Sequence, residues 1–343
     1  MGIYFIFDAR SPGHFASLYL NFCKKYLDTL APPSLSWLEV GVKDYLREDV
    51  LIFPDKNHVS VYISSEADVE SASNKAASVL KRTLKPYPTI IVVYGAEDQA
   101  THQIANHLAG ITGAKLYVYP LDQKSLKKNL NAKFTVLTLE EQSKRQAEKL
   151  GLSAKAIGGF FPLLPPTQAP LPPCPPATIG AFVDDERSFE SFKNLLKATA
   201  RIENARLFLF AGADYAQRAC DYADLINCAS TLEVIEKPNL ETLFLGLSRS
   251  NFVVSLASSM LPLDAVFSVC SLRPLLSPEE SSAAFVALKT QGLTIPVFAE
   301  EKIYETLVQF IERYDLLEFE SLEQEAKELT SFVGFIEKLE SLN

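Results

Sequence analysis

Gly13 and His14 stand where a short apolar run, Ile3 to Phe7, passes through a turn into a helix that begins near Phe15. A strand, turn and helix in this order leave backbone N–H groups free at a helix N-terminus, whose partial positive charge suits a phosphate. The same residues also read as a plain turn, with Gly13 supplying conformational freedom and Ser11 capping the helix. The other histidines are His58, His102 and His107. His102 and His107 are five apart on one helix, off the i, i+4 spacing of a metal pair, so surface or capping roles are expected for both. Five cysteines, Cys23, Cys174, Cys220, Cys228 and Cys270, form an odd set without CxxC spacing. That pattern predicts buried or idle thiols in a reducing cytoplasm, not a disulfide framework or a zinc site.

The elements that must position such residues alternate along the chain. Strands are predicted at Ile3–Phe7, Val50–Phe53, Val59–Ile63, Thr89–Tyr94, Leu116–Tyr119 and Phe134–Leu137, with helices at Phe15–Leu30, Asp68–Leu84, Asp98–Ile111 and Glu140–Leu150. After a proline-rich break the pattern restarts with strands at Ile179–Val183, Leu207–Ala211, Leu232–Ile235, Phe252–Leu256 and Pro296–Phe298. Repeated alternation implies two mostly parallel sheets, each covered by helices on both faces. The stretch Leu322–Leu342 has helical periodicity and many glutamates, and either packs on the surface or returns to the first domain.

The break is Pro162–Pro176, where eight of fifteen residues are proline. Such a segment lacks ladder donors and favours extended geometry, which makes it a semi-rigid linker; a ligand for an SH3-type domain is the sharper alternative. The expected organisation is therefore a domain at residues 1–161, a linker at 162–176, a second domain at 177–320 and a helix at 321–343. A chain of 343 residues suits two cores of this size.

Composition sets limits on partners. The formal net charge of −9 argues against general nucleic-acid binding, which needs a basic surface. Residues 1–160 hold 19 Lys+Arg against 16 Asp+Glu, while the remainder holds 14 against 26. The mildly basic first half could touch anionic lipid or a phosphorylated acceptor through Lys81, Arg82, Lys85, Lys124, Lys127 and Lys128, although ordinary solvated helix faces explain these residues too. No apolar run reaches the roughly 18 residues of a membrane helix, and the N-terminal run ends in Asp8 and Arg10, unlike a signal peptide. A cytoplasmic protein with at most peripheral membrane contact is expected.

Four segments together carry a family resemblance. They are Phe5–Leu18 with its turn at Pro12 and Gly13; Phe134–Leu152 followed by Ala156–Pro162; Thr178–Ala198 followed by Ala205–Ala213; and Leu232–Pro262. Their order resembles the GT-B glycosyltransferases, specifically the retaining group that uses nucleotide sugars, and this chain is similar to a divergent or catalytically degenerate member. The resemblance implies two Rossmann-like domains facing a central cleft, with the acceptor on the N-terminal side and the donor on the C-terminal side. It implies donor contacts from Gly13, His14, Arg187, Gly212, Lys237, Ser258 and Ser259.

The resemblance also marks departures. Ala181 takes the place of an arginine that neutralises the donor diphosphate in active relatives, and the accompanying lysine position falls near Ser188 or Phe189, leaving Arg187 as a substitute. Two glutamates eight residues apart are replaced near Ser258 or Ser259 and near Val266 or Phe267. The segment Leu116–Asp122 lacks the family's histidine and offers only Asp122. Two functions follow. One is metal-independent transfer of a sugar, without a cofactor, from a nucleotide sugar to an unknown glycan, lipid or protein acceptor. The alternative is an inactive binding or scaffold protein, with an active transferase as its protein partner. Periplasmic binding proteins share the two-domain plan, but several strands cross between their domains.

Overall fold

The computed structural model describes residues 2–8, 13–30, 35–44, 46–54, 58–83, 87–95, 99–120, 134–138, 141–159, 174–256, 263–276, 300–316 and 331–342. The chain forms two compact units. The first comprises Met1–Pro12, Tyr19–Gly158 and Phe335–Asn343, and the second comprises Gly13–Leu18 and Gly159–Gly334. No helix among the described residues is long and apolar enough to cross a membrane.

The first unit is built on an eight-stranded sheet. Its strands are β1 (Gly2–Asp8), β2 (Leu35–Lys43), β3 (Val50–Pro54), β4 (His58–Ser64), β5 (Pro88–Tyr94), β6 (Lys115–Tyr119), β7 (Thr135–Thr138) and β8 (Ala154–Ala156). They lie in the order β3-β4-β2-β1-β5-β6-β7-β8. All pairs are parallel except β3 with β4, where Val50 faces Ile63 and Pro54 faces Val59. The central strands β1 and β5 are continuous apolar runs because both faces of a parallel sheet are covered. Helices α1 (His14–Leu30), α2 (Val69–Thr83), α3 (Gln99–Thr112) and α4 (Glu141–Lys149) join these strands.

β2 falls outside the predicted strands. Serine, glutamate and glycine interrupt its apolar residues, so its sequence is not a continuous buried run. Its polar positions are tied down instead: Glu39 pairs with Lys24 at 2.7 Å and the Trp37 indole N–H donates to Asp28 at 2.9 Å, both partners lying on α1. His102 is also a correction. It is buried at 3% exposure and stacks on Phe134, because α3 turns that face inward.

The second unit carries a five-stranded parallel sheet in the order β11-β10-β9-β12-β13. The strands are β9 (Thr178–Val183), β10 (Arg206–Ala211), β11 (Leu232–Glu236), β12 (Phe252–Val254) and β13 (Leu275–Leu276). The helices are α5 (Glu186–Ala200), α6 (Ala213–Leu225), α7 (Leu240–Ser248), α8 (Leu263–Cys270) and α9 (Glu300–Glu312). The chain runs outward from β9 to β10 and β11, then returns to add β12 on the other side of β9. That reversal is a topological switch point, where open α/β sheets bind ligands beyond the carboxyl ends of the strands. Phe192, Leu195 and Leu196 of α5 pack with Leu307 and Phe310 of α9 in the core beneath it.

The predicted strand at 296–298 and most of the proline-rich segment lie outside the described residues; Cys174, Pro175 and Pro176 are its described end. Of the predicted helix at 322–342, the described part is α10 (Phe332–Ser341). From Phe335 onward it groups with the first unit, where Phe335 and Leu339 are buried. Lys115 Nζ and Tyr117 OH donate to the carbonyl of Leu342 at 3.0 and 3.3 Å.

Candidate functional site

The carboxyl ends of β9, β10 and β11 bring several of the predicted residues together inside the second unit. β9 ends at Val183 and hands over to Asp184 and Asp185. β10 ends at Ala211, and Gly212 directly precedes α6. β11 ends at Glu236, after which the Lys237 N–H donates to the Ala211 carbonyl at 2.9 Å. Gly13–Leu18, the start of α1, groups with these strand ends.

Gly13 immediately precedes α1, and its carbonyl accepts the Ser17 N–H at 3.1 Å. The N–H groups expected to be free for a phosphate instead face the Asp184 side chain. His14 N–H donates to Asp184 Oδ1 at 3.4 Å, and Phe15 N–H also donates to this carboxylate. Oδ2 comes so close to Gly13 that a Cβ there would sit 2.0 Å away, and Oδ1 would be 3.2 Å from a Cβ on Gly212. A side chain at Gly13 would force the Asp184 carboxylate to move, and one at Gly212 would need it to give by a few tenths of an ångström. Burial is the largest influence on Asp184 and raises its pKa above the usual value of 3.8; the two N–H groups and His14 oppose that rise, and neighbouring Asp185 adds to it.

The His14 ring spans the other side of this site. Its Nε2 lies 2.9 Å from the Pro238 carbonyl, which can only accept, so Nε2 carries the proton in this contact. Phe15 packs edge-on against Phe182 with ring centroids 5.0 Å apart, fixing the first turn of α1 against the strand that leads to Asp184. Lys237 has φ +41°, in the left-handed region, and its side chain is exposed. Arg187 is exposed in the first turn of α5. Ser258 and Ser259 lie outside the described residues, as does Asp122.

The first helix beyond β9 is closed by its own residues. Asp185 accepts the Ser188 N–H at 2.7 Å, while Ser188 Oγ accepts the N–H groups of Asp184 and Asp185 at 3.3 and 3.2 Å. This capping box consumes donors that would otherwise be offered to an anion. Sequence reasoning missed Asp184 and this cap. The available signal was the acidic pair at a strand end followed by serine three residues beyond Asp185.

A groove of about 1060 Å³ lies in the first unit, with Gln103, His107, Lys115, Tyr117 and Thr135 among its lining residues. Lys115 and Thr135 begin their strands, so the groove lies at the amino ends of β6 and β7, opposite to where such sheets bind ligands. Among the described residues no cluster of three or more His, Cys, Asp or Glu side chains could hold a metal ion.

No protein-family model matches the chain, and no curated protein matches it in sequence. Solved structures do match along its whole length. The apo form of the lipopolysaccharide outer core galactosyltransferase WaaB superposes with TM-score 0.68 at 13% identity, covering 100% of both chains. A glycosyltransferase from Rickettsia africae matches with TM-score 0.67 at 11% identity over 99% of this chain and 97% of that one.

The fold is GT-B. HepE from Anabaena, solved in complex with UDP, shares it with TM-score 0.63 at 13% identity over 100% of this chain and 99% of that one. Within this GT-B fold the substituted positions have structural explanations. Ala181 is the fourth residue of β9 and fully buried, and the loop that follows this strand carries Asp184 and Asp185. Ser188 and Phe189 are buried in the cap and core. Val266 and Phe267 are buried on α8, with Phe267 stacked on Phe182. In the first unit, Tyr119 ends β6, stacks on Tyr94 and donates to the Gly158 carbonyl at 3.0 Å.

Proposed function

We propose that this GT-B chain is a glycosyltransferase that takes a sugar from a nucleotide-sugar donor and passes it to a glycan, lipid or protein acceptor. One observation carries the reading: Gly13, His14, Gly212 and the backbone of Lys237 and Pro238 converge at the carboxyl ends of β9, β10 and β11, to one side of the switch point between β9 and β12. The bond between sugar and diphosphate breaks with its electron pair going to the departing nucleoside diphosphate, the acceptor oxygen takes its place on the sugar carbon, and the acceptor's hydroxyl proton passes to the departing diphosphate. Helix N-termini at α1 and α6 stabilise the departing charge, and His14, held by Pro238, orients the leaving phosphate. Arg187, Lys237, Ser258 and Ser259 supply further donor contacts. The reaction needs neither a metal nor a cofactor, and its setting is cytoplasmic.

The acidic loop Asp184–Asp185 favours a second reading, in which the chain keeps the fold but binds a donor or partner without turnover. Buried Ala181, Ser188 and Val266 support it, because none brings charge to a diphosphate. A thermal-shift screen with nucleoside diphosphates and nucleotide sugars, followed by donor-hydrolysis assays, separates these readings. A ligand at about 100 times its Kd should stabilise the fold by about 2.7 kcal/mol. Stabilisation with donor consumption supports the transferase; stabilisation without it supports the second reading. No shift with any nucleotide overturns both donor-binding forms.

A further inference from the structure

We infer that Asp184 is an intramolecular occupant of the phosphate place, so that its carboxylate must swing away before a donor diphosphate can bind. This inference rests on the donor reading above. The carboxylate accepts the N–H groups of His14 and Phe15 and lies against both Gly13 and Gly212, the residues expected to approach a phosphate. A diphosphate at these groups would meet a negative charge already in position. The charged and titratable groups around it are His14 on α1, Asp185 before α5 and Tyr215 on α6. Of these three, only His14 is a base, and its Nε2 is engaged by Pro238.

The geometry also makes displacement feasible. Asp184 is a short side chain on the loop between β9 and the α5 cap, and the loop's backbone is held independently by Ser188 Oγ. Rotating the Asp184 side chain leaves those two backbone contacts intact. The His14 contact at 3.4 Å is long for an N–H to oxygen bond, so little is lost on its release. Local capping alone would make Asp184 a stabiliser of α1, with no effect on anion affinity.

The test is isothermal titration of UDP, and of uridine as the uncharged control, into the full chain and into Asp184→Ser. Serine can still cap a helix but carries no charge. UDP should bind Asp184→Ser at least about tenfold more tightly than the unsubstituted chain, an affinity ratio equivalent to about 1.4 kcal/mol. Uridine should bind both equally. If UDP binds both proteins equally, or the serine variant more weakly, Asp184 does not occupy the site and the donor reading stands. If neither protein binds UDP or another nucleoside diphosphate, the donor reading fails and this inference falls with it. Should Asp184→Ser not fold, Asp184→Asn, which keeps the size and removes the charge, is held to the same tenfold criterion.

Discussion

Gly13 and Asp184 form a contact that substitution can separate into its parts. A methyl group on Gly13 would overlap Oδ2, and Gly13 has no left-handed φ, so its replacement by alanine tests crowding alone. Gly13→Ala should destabilise the chain, while the same change in an Asp184→Ser background should cost less. Denaturant titrations of the four proteins should give a coupling of about 0.5–3 kcal/mol, the range for residues in contact; strictly additive effects would mean that the carboxylate does not lie on Gly13. The pH dependence has a definite sign. Asp184 has a folded-state pKa raised chiefly by burial, so the folded state holds the proton more tightly than the unfolded chain. Its contribution is present below about 3.8 and is lost as pH rises through the raised folded value. Stability of the unsubstituted chain relative to Asp184→Ser should therefore rise as pH falls toward 3.8; a flat or opposite trend would contradict the shift. Gly13, His14 and Gly212 were legible as turn and helix-start residues because strand-to-helix turns carry a recognisable pattern. Asp184 was not, since an acid at a place expected to receive phosphate runs against charge complementarity.

A helix with a continuous apolar stripe, such as α1, was legible from spacing alone. The short strands β8 and β13 were not, because three or two residues hold no period to read. β2 escaped for another reason: its Glu39 and the Trp37 indole N–H are satisfied by α1, a tertiary contact that sequence pattern does not encode. The same limit hid Arg273. Its guanidinium is buried at 3% exposure, and Nε and one terminal nitrogen donate to the Leu247 and Ser248 carbonyls at 3.0 and 2.8 Å. These carbonyls belong to the last turn of α7, where acceptors have no partner within the helix; the Leu247 carbonyl also accepts the Ser250 N–H at 3.0 Å. Burial lowers the Arg273 pKa, with Tyr314 opposing the effect, so a fixed charge has been desolvated to hold this helix end. Arg273→Met keeps much of the apolar stem and removes both donors. It should lower stability by about 1.5–3 kcal/mol, the range for hydrogen bonds to a charged group. Urea denaturation measures the loss, and a change below about 0.5 kcal/mol would show that the helix end is satisfied without this arginine.

At the scale of the whole molecule, the alternation of strands and helices restarting after a proline-rich stretch was enough to read two α/β halves. The path of α10 was left open by its periodicity, which marks a helix but not the surface that receives it. Phe335 and Leu339 are buried, and the carbonyl of Leu342 accepts from two residues of β6. A helix that leaves the second unit at Gly334 thus completes the core of the first. Its contribution should appear locally. Phe335→Ala removes a side chain with 2% exposure, and such a loss typically costs about 3–5 kcal/mol in a packed core. Hydrogen exchange should show reduced protection along β6, beginning at Lys115, before any loss along β9 and β10 of the second unit. Equal loss in both sheets would mean that the chain unfolds as one cooperative body, and unchanged protection in β6 would mean that α10 does not support it. Because Asp184, Gly13 and Gly212 belong to the second unit, UDP affinity in Phe335→Ala should remain that of the unsubstituted chain. That outcome separates support of the first unit's core from the donor site by measurement.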